Sequence, residues 1–253
     1  MILEERRGSV TILRMQKGKV NALDLELLVE LRTKLEAIQN ESQAVILTGA
    51  GSCFSAGVDL FRVLDGGQTY LEQFLPALSE VLLRLFTFPR PVVAAVNGHA
   101  IAGGCVIVCA CDYRIMAEGD GRIGVSELRV GVPFPVLPLE IMRFAVSNSH
   151  LQSLVYTGRT LLPEDAKAAG LVDEVVPAEK LLHQACETAE HFGAVPTNSF
   201  ALTKALLRQP TLAQYQAARE KHDAAAAEIW ASAEIHQTIR AYLDQTLGRN
   251  KGK

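Results

Sequence analysis

The 253-residue sequence lacks the patterns that mark proteins that bind nucleic acids or span membranes. It has 25 Lys and Arg against 28 Asp and Glu, and no stretch concentrates the basic residues enough to follow a phosphate backbone. Its longest apolar run, residues 100–111, is well below the ~20 residues that a membrane crossing needs and contains two glycines. Neither nucleic acid nor a membrane is therefore expected as a partner.

Cysteine is present without the spacing that would give it a structural role. The five cysteines form no CxxC pair and have no ordered His partners, so neither a disulfide framework nor a metal site is indicated. Cys105 and Cys109 fall on one face of an apolar segment, which favours core packing. The first residues show neither the apolar core of a signal peptide nor the composition of a transit peptide. We expect reduced thiols and a cytoplasmic location.

Common nucleotide and hydrolase signatures are missing as well. Residues 49–51, GAG, lack the third glycine of a dinucleotide fingerprint, and no Walker pattern occurs anywhere. Residues 124–128, GVSEL, fail the G-x-S-x-G pattern at its last position. A serine hydrolase is therefore not indicated.

The first half of the chain alternates strand and helix patterns and predicts an α/β fold. The strand patterns are a hairpin over 2–15 and buried strands over 44–48, 92–96 and 111–116. The helix patterns are an amphipathic helix behind an Asp24 N-cap, a helix from about 69 to 86 and one starting at 102–104. This order favours parallel strands joined by right-handed crossovers.

Helical patterns dominate the second half. They cover 136–144, 150–156 and 163–169, the last with Gly170 as its C-cap, and a short strand is predicted over 171–176. After Pro196 the chain reads as almost wholly helical. We predict a core over 1–195 and a C-terminal helical region over 196–253 that serves as a packing or oligomerisation arm.

Two glycine-rich loops each follow a strand and precede a helix. The first is FSAGVDL (54–60) and the second is NGHAIAGG (97–104). Helix starts carry unpaired N–H groups and the positive end of the helix dipole, so two facing starts can hold an oxyanion. Either loop alone is equally consistent with a tight packing turn. Together they suggest acyl chemistry through an enolate.

Glu127 is the candidate acid/base. It lies between Val125 and Leu128, and desolvation in such surroundings would raise its pKa and make it a usable base near neutral pH. An ordinary solvated loop glutamate is the alternative for this residue.

Several segments resemble the enoyl-CoA hydratase/isomerase family, the crotonase superfamily, in the family's order. They are KVNAL (19–23), FSAGVDL (54–60), AVNGHAIAGGCVIVCACDYRI (95–115), SELRVG (126–131), TGRTLLPEDAKAAGLVDEVVP (157–177) and SFALTKALL (199–207). The resemblance implies a spiral of ββα units and a C-terminal region that assembles homotrimers or dimers of trimers. It also implies that the N–H groups of Ala56 and Gly103 bind a thioester oxygen.

The resemblance further implies an acyl-CoA substrate, with CoA arriving as part of it and no other cofactor or metal. The implied substrate-binding residues are Lys19, Ala22, Leu23, Ser55, Gly57, Val58, Asp59, Leu60, Gly104 and Val106. Basic residues Arg14, Lys17 and Lys19 are candidates for the CoA phosphates, with an exposed hairpin end as the alternative. Residues 61–75 are expected to border the acyl pocket because they follow the first loop.

One departure from the family pattern bears on the reaction. Family hydratases carry a glutamate where this chain has Val106, whereas their second glutamate matches Glu127. Moving a double bond needs only one carboxylate, so the pattern favours isomerisation of 3-enoyl-CoA to 2-enoyl-CoA. The alternatives are a hydratase or another enolate reaction such as decarboxylation with a second group, Glu140 being one candidate, or a non-catalytic CoA-binding protein. His99 is expected to be a turn residue.

Overall fold

The computed structural model describes the backbone of residues 1–250 and side chains as far as residue 246. Within that range a six-stranded sheet has the order β1-β2-β3-β5-β7-β10. Its strands are β1 Ile2–Arg7, β2 Val10–Met15, β3 Ala44–Gly49, β5 Val92–Val96, β7 Tyr113–Ala117 and β10 Glu174–Val176. The first pair is antiparallel and the others are parallel, as the β/α alternation predicts.

A second, four-stranded sheet in the described residues has the order β4-β6-β8-β9. Its strands are β4 Cys53–Ser55, β6 His99–Ile101, β8 Ile123–Gly124 and β9 Thr160–Leu161. The sequence gives no separate signal for these strands, because two or three residues are too few to display a period of two. This small sheet matters because β4 and β6 run parallel and adjacent, with Cys53 opposite His99.

The helices pack on both faces of the large sheet. They are α1 Leu25–Ile38, α2 Leu60–Thr87, α3 Gly103–Ala110, α4 Glu127–Val130, α5 Val136–Ala145, α6 Asn148–Thr157, α7 Pro163–Ala168, α8 Leu181–Gly193, α9 Thr197–Ala231 and α10 Ala233–Asn250. No helix among the residues described is long and apolar enough to cross a membrane.

Strand periodicity divides the core between the two faces. Ala44 and Ile46 of β3 face α8, whereas Val45 and Leu47 face the larger cluster that includes α1, α2 and α3. Every residue of β3 is buried, which explains why its sequence is a continuous apolar run without alternation.

Asp24 caps α1 as predicted, since its Oδ1 accepts the Leu27 N–H at 2.9 Å. Helix α2 consists of two helical stretches on either side of Gly67, and the helix predicted from about 69 to 86 corresponds to the second. The first stretch, which begins at Leu60 behind the Asp59 cap, was not predicted. Gly66 and Gly67 conceal its first turns in the sequence, and Gly67 kinks the helix with a φ of 55°.

Other boundaries differ from prediction by one to three residues. The strand predicted over 111–116 is Tyr113–Ala117, and the strand predicted over 171–176 is Glu174–Val176. Helix α7 ends at Ala168 with Ala169 at the C-cap, and Gly170 follows with a φ of +79°. Helix α9 begins at Thr197, while the division into a core and a C-terminal region stays a prediction.

Candidate active site

The parallel pairing of β4 and β6 brings the two glycine-rich loops side by side. A Cβ added at Gly57 would lie 2.6 Å from the Ile101 backbone oxygen and 3.3 Å from the Gly103 nitrogen. A Cβ at Gly104 would lie 2.6 Å from the Ser55 oxygen. Neither position therefore accepts a side chain without backbone movement, which gives these glycines a packing role at the junction of the loops.

Side-chain hydrogen bonds tie the second loop and the segment before α1 to the residues that lead into the first loop. The Asn97 Nδ2 donates to Gly51 O at 2.8 Å, and its Oδ1 accepts the Gly49 N–H at 3.0 Å. The Asn21 Nδ2 donates to Cys53 O at 2.8 Å, and Asn21 has a φ of 49°. Asn97 lies in the predicted turn, whereas the bracing role of Asn21 has no signal in the sequence.

The backbone of the first loop does not leave the Ala56 N–H free. It donates to Val20 O at 2.9 Å, so the predicted role of Ala56 in holding a thioester oxygen is wrong for this arrangement. The Gly57 N–H donates to Ser55 Oγ at 3.2 Å. The Val58 N–H, one residue beyond the loop glycine, has no partner among the described atoms.

The second free N–H lies at the start of α3, as predicted. Gly103 is the first residue of this helix, and its N–H has no acceptor within the described residues. Ala102 turns the chain into α3 with a φ of 51°, unfavourable for an L-residue. The Ala102 N–H donates to Gly124 O at 2.8 Å, which helps hold that conformation.

A cavity of about 90 Å³ lies beside these groups. The predicted site residues on its wall are Ala56, Val58, Leu60, Gly103, Val106 and Glu127. The sequence gives no indication of two wall residues from the C-terminal helices, Trp230 and Tyr242, because more than 100 positions separate them from Glu127. Tertiary packing alone brings them to the cavity.

Glu127 is buried at the start of α4 and is not the solvated loop residue of the alternative interpretation. Its side chain lines the cavity, and its Oε2 has no hydrogen-bond partner among the described residues. Burial raises the pKa of Glu127 to about 7, against smaller opposing effects of backbone hydrogen bonds. Such a carboxyl is divided between its base and acid forms near neutral pH.

Seven of the ten predicted substrate-binding residues do not line the cavity: Gly57 and Gly104 at the junction of the loops, Leu23, and Asp59, Ser55, Ala22 and Lys19. Asp59 caps α2 through the Phe61 and Arg62 N–H groups, at 3.1 and 3.2 Å. Ser55 braces the first loop by donating to Asn21 O at 2.7 Å. Ala22 is half-buried and Lys19 is exposed, both outside the cavity wall.

Leu23 contacts both glycine-rich loops where they meet. Its backbone forms an isolated parallel bridge with Val58, and its side chain lies where a Cβ on Gly103 would come within 3.0 Å. Leu23 is fully buried, so it sets the approach of the two loops without lining the cavity.

Several other candidates serve structural roles. Glu140 is buried outside the cavity wall, with Arg143 Nε donating to its Oε1 at 3.3 Å. His99 is exposed, and its Nδ1 accepts the Arg122 N–H at 3.2 Å. Residues 61–75 are likewise absent from the cavity wall, which corrects the predicted acyl border, since Leu78 and Leu82 of α2 lie there instead.

The three basic residues that are candidates for binding the CoA phosphates differ in whether they already have a partner within the chain. Lys17 is paired with Asp24, and Arg14 donates to Gly49 O at 3.4 Å, whereas Lys19 is exposed. Cys105 and Cys109 are buried core residues, as predicted, and all five cysteines are unpaired. The part of the chain that the structure describes contains no group of three His, Cys, Asp or Glu residues placed to hold a metal ion.

Comparison with known proteins identifies the family. The model of the enoyl-CoA hydratase/isomerase family matches residues 5–249, so the chain belongs to this family of acyl-CoA enzymes. The crystal structure of human mitochondrial delta3-delta2-enoyl-CoA isomerase superposes with a TM-score of 0.93 at 28% identity, over 98% of each chain. The predicted crotonase fold is thereby confirmed.

Relatives with different reactions have similar identities. Human mitochondrial enoyl-CoA delta isomerase 1 is 29% identical over all of this chain and 85% of its own. The short-chain-enoyl-CoA hydratase of Clostridium acetobutylicum is 27% identical over 96% of this chain and 95% of its own.

Proposed function

We propose that the protein isomerises 3-enoyl-CoA to 2-enoyl-CoA with Glu127 as its single carboxylate acid/base. The observation that carries the proposal is the pairing of buried Glu127 with Val106 on one cavity wall. An apolar side chain stands where the family's hydratases place their other glutamate. Hydration needs groups for both the water and the α-carbon proton, whereas double-bond migration reuses one carboxylate.

In the proposed mechanism the ionised Glu127 removes a proton from C2 of the 3-enoyl thioester. The electron pair of that C–H bond spreads over C2–C4 and onto the thioester oxygen, which gives a dienolate. The protonated carboxyl then delivers the same proton to C4, and the double bond comes to lie between C2 and C3. A carboxyl with a pKa of about 7 exchanges a proton in both directions near neutral pH.

The N–H groups of Val58 and Gly103 are the proposed donors to the developing oxyanion. Both residues line the cavity and both N–H groups lack acceptors among the described residues. The N-terminal end of α3 adds its positive dipole end at Gly103. CoA enters this scheme only as the thioester carrier, with exposed Lys19 as the proposed contact for a CoA phosphate.

The donor assignment is tested by replacing single backbone amides with esters, introduced as the hydroxy-acid analogue of the residue. We expect the ester at Val58 to lower kcat about 10²-fold, the usual effect of losing one oxyanion donor. The matched control is an ester at Ala56, which removes only the hydrogen bond to Val20. A larger kcat loss at Ala56 than at Val58 would contradict the assignment.

The reaction is tested by assaying 3-hexenoyl-CoA isomerisation and 2-hexenoyl-CoA hydration with Glu127→Gln alongside. We expect isomerisation to fall about 10³-fold and hydration to be weak in both proteins. Glu140→Gln is the matched control, because this glutamate is also buried but lies outside the cavity wall. Strong wild-type hydration would favour the second candidate, a hydratase that uses the hydroxyl of Ser126 or Tyr242, the other polar side chains on the wall.

We also propose a homotrimer or dimer of trimers, assembled through the C-terminal helical region. Leu202, Leu206 and Leu207 of α9 are 63%, 59% and 64% exposed in the single chain, an apolar surface that association would cover. Sedimentation equilibrium tests the proposal, and a monomer at micromolar concentration would contradict it. A cytoplasmic location stays a prediction.

A further inference from the structure

The residues that line the cavity differ in their exposure to solvent. Ala56 is exposed at its mouth, Val58 is half-buried, and Gly103 is buried. The least exposed wall residues include Leu82 and Trp230, which are 0% and 3% exposed. The cavity wall therefore borders solvent at Ala56 and is closed to solvent at Leu82 of α2 and Trp230 of α9.

The cavity wall offers no positively charged side chain among the described residues. Glu127 and Tyr242 are the only ionisable side chains among the described wall residues, and no Lys, Arg or His is present there. An acyl chain with a terminal carboxylate would bury that charge without a partner, which strongly opposes binding. An uncharged aliphatic chain loses only unfavourable contact with water.

Hydrogen bonds hold both the Trp230 side chain and its helix, α9, against the rest of the protein. Trp230 Nε1 donates to Pro133 O at 3.0 Å, and the Val136 N–H donates to Asp223 Oδ1 of the same helix at 2.8 Å. Farther back on α9, Arg208 donates to Ala110 O at 3.1 Å, at the end of α3. Rotation of the Trp230 ring out of the wall would break its bond to Pro133, and a shift of α9 would break the other two bonds.

The size of the space sets the remaining limit. A single ordered water needs roughly 10–15 Å³ of cavity, so about 90 Å³ holds fewer than ten water-sized groups. We propose that Trp230 and Leu82 form the end wall of the acyl site and restrict the enzyme to short, uncharged aliphatic acyl-CoA thioesters. This rests on the proposed function, in which the cavity holds the acyl group beside Glu127.

The test measures binding separately from chemistry. Hexanoyl-CoA, dodecanoyl-CoA and hexanedioyl-CoA, which have no double bond to migrate, are titrated by calorimetry. The isomerisation kcat/KM is measured in parallel for 3-hexenoyl-CoA and 3-dodecenoyl-CoA. The wild type is expected to favour hexanoyl over dodecanoyl about tenfold or more, and to bind hexanedioyl-CoA at least about a hundredfold more weakly than hexanoyl-CoA.

Leu82→Ala and Leu85→Ala provide a matched pair. Both leucines are fully buried on α2, but only Leu82 lines the cavity. Leu82→Ala and Trp230→Ala are expected to raise dodecanoyl relative to hexanoyl binding about tenfold, with Leu85→Ala leaving that ratio unchanged. Leu82→Ala carries the test by itself if Trp230→Ala does not fold.

The outcomes separate this proposal from the proposed function. Wild-type binding that does not depend on chain length, or a ratio that moves equally in Leu82→Ala and Leu85→Ala, would overturn the end wall. Tight binding of hexanedioyl-CoA would overturn the restriction to uncharged chains. Length-dependent binding without isomerisation of either enoyl-CoA would support the end wall and refute the proposed reaction.

Discussion

Burial of the Glu127 carboxyl predicts a cost in stability that depends on pH. The pKa of this group rises from its ordinary value of 4.5 to about 7 in the folded protein. Each pKa unit corresponds to ~1.36 kcal/mol, so ionised Glu127 destabilises the fold by about 3 kcal/mol relative to the neutral form. Glu127→Gln removes the ionisation and should therefore stabilise the protein at high pH.

The sign follows from proton binding in the two states. Below pH 4.5 the carboxyl is protonated in both the folded and the unfolded chain, so ionisation contributes no difference between the two proteins. Between 4.5 and about 7 only the unfolded chain ionises, and the free energy of unfolding of the wild type falls relative to the variant. Above about 7 the gap is constant at about 3 kcal/mol.

Urea unfolding at several pH values between about 5 and 8 measures this gap. The chain contains one tryptophan, Trp230, which lines the same cavity, so its fluorescence reports the relevant packing. The difference between the two curves removes the contribution of every other titrating group. A gap that is independent of pH, or that widens toward acid, would refute the assignment of a raised pKa. The same group predicts that kcat/KM for isomerisation rises with pH through about 7.

Four further substitutions test the site and the packing of α9 behind it. Gly104→Ala places a Cβ 2.6 Å from a backbone oxygen of the first loop, so kcat should fall about 10²-fold, whereas Gly103→Ala meets a flexible side chain at 3.0 Å and should cost less. Asp112 forms ion pairs with Lys204 and Arg208, two buried residues of α9. Asp112→Ala removes the partner of both cations and should lower the free energy of unfolding by about 3–5 kcal/mol in urea titrations. Val106→Glu supplies a second carboxylate on the cavity wall and should create measurable 2-hexenoyl-CoA hydration, and its absence would contradict the single-carboxylate interpretation.

Local patterns predicted the elements that have enough residues to show a period. Asp24 and the buried leucines of α1 are one example, and the continuous apolar run of β3 is another. The predicted helix from about 69 to 86 corresponds to the part of α2 after Gly67, where the chain leaves helical geometry. The short stretch before Gly67 was missed because glycines lower the helical signal there. Strands of two or three residues escaped prediction because their pairing depends on distant partners.

The family resemblance singled out Glu127 and Gly103, and both lie on one cavity wall. It named Ala56 as the other N–H donor, which the structure contradicts. Which N–H of a loop remains free depends on where a distant carbonyl lies, and Val20 O takes the Ala56 N–H while the bridge to Leu23 leaves that of Val58 unpaired. Local sequence does not specify such a partner.

The sequence by itself determined the α/β order, the family and the residue types available for chemistry, because these follow from local periodicity and short motifs. Tertiary structure decided which groups act together. It buried Glu127 and raised its pKa, and it placed Glu140 outside the cavity wall. It also brought Trp230 from the C-terminal helices to close the cavity. Burial and cavity shape are properties of the packed chain, since they arise only when segments far apart in sequence exclude water together.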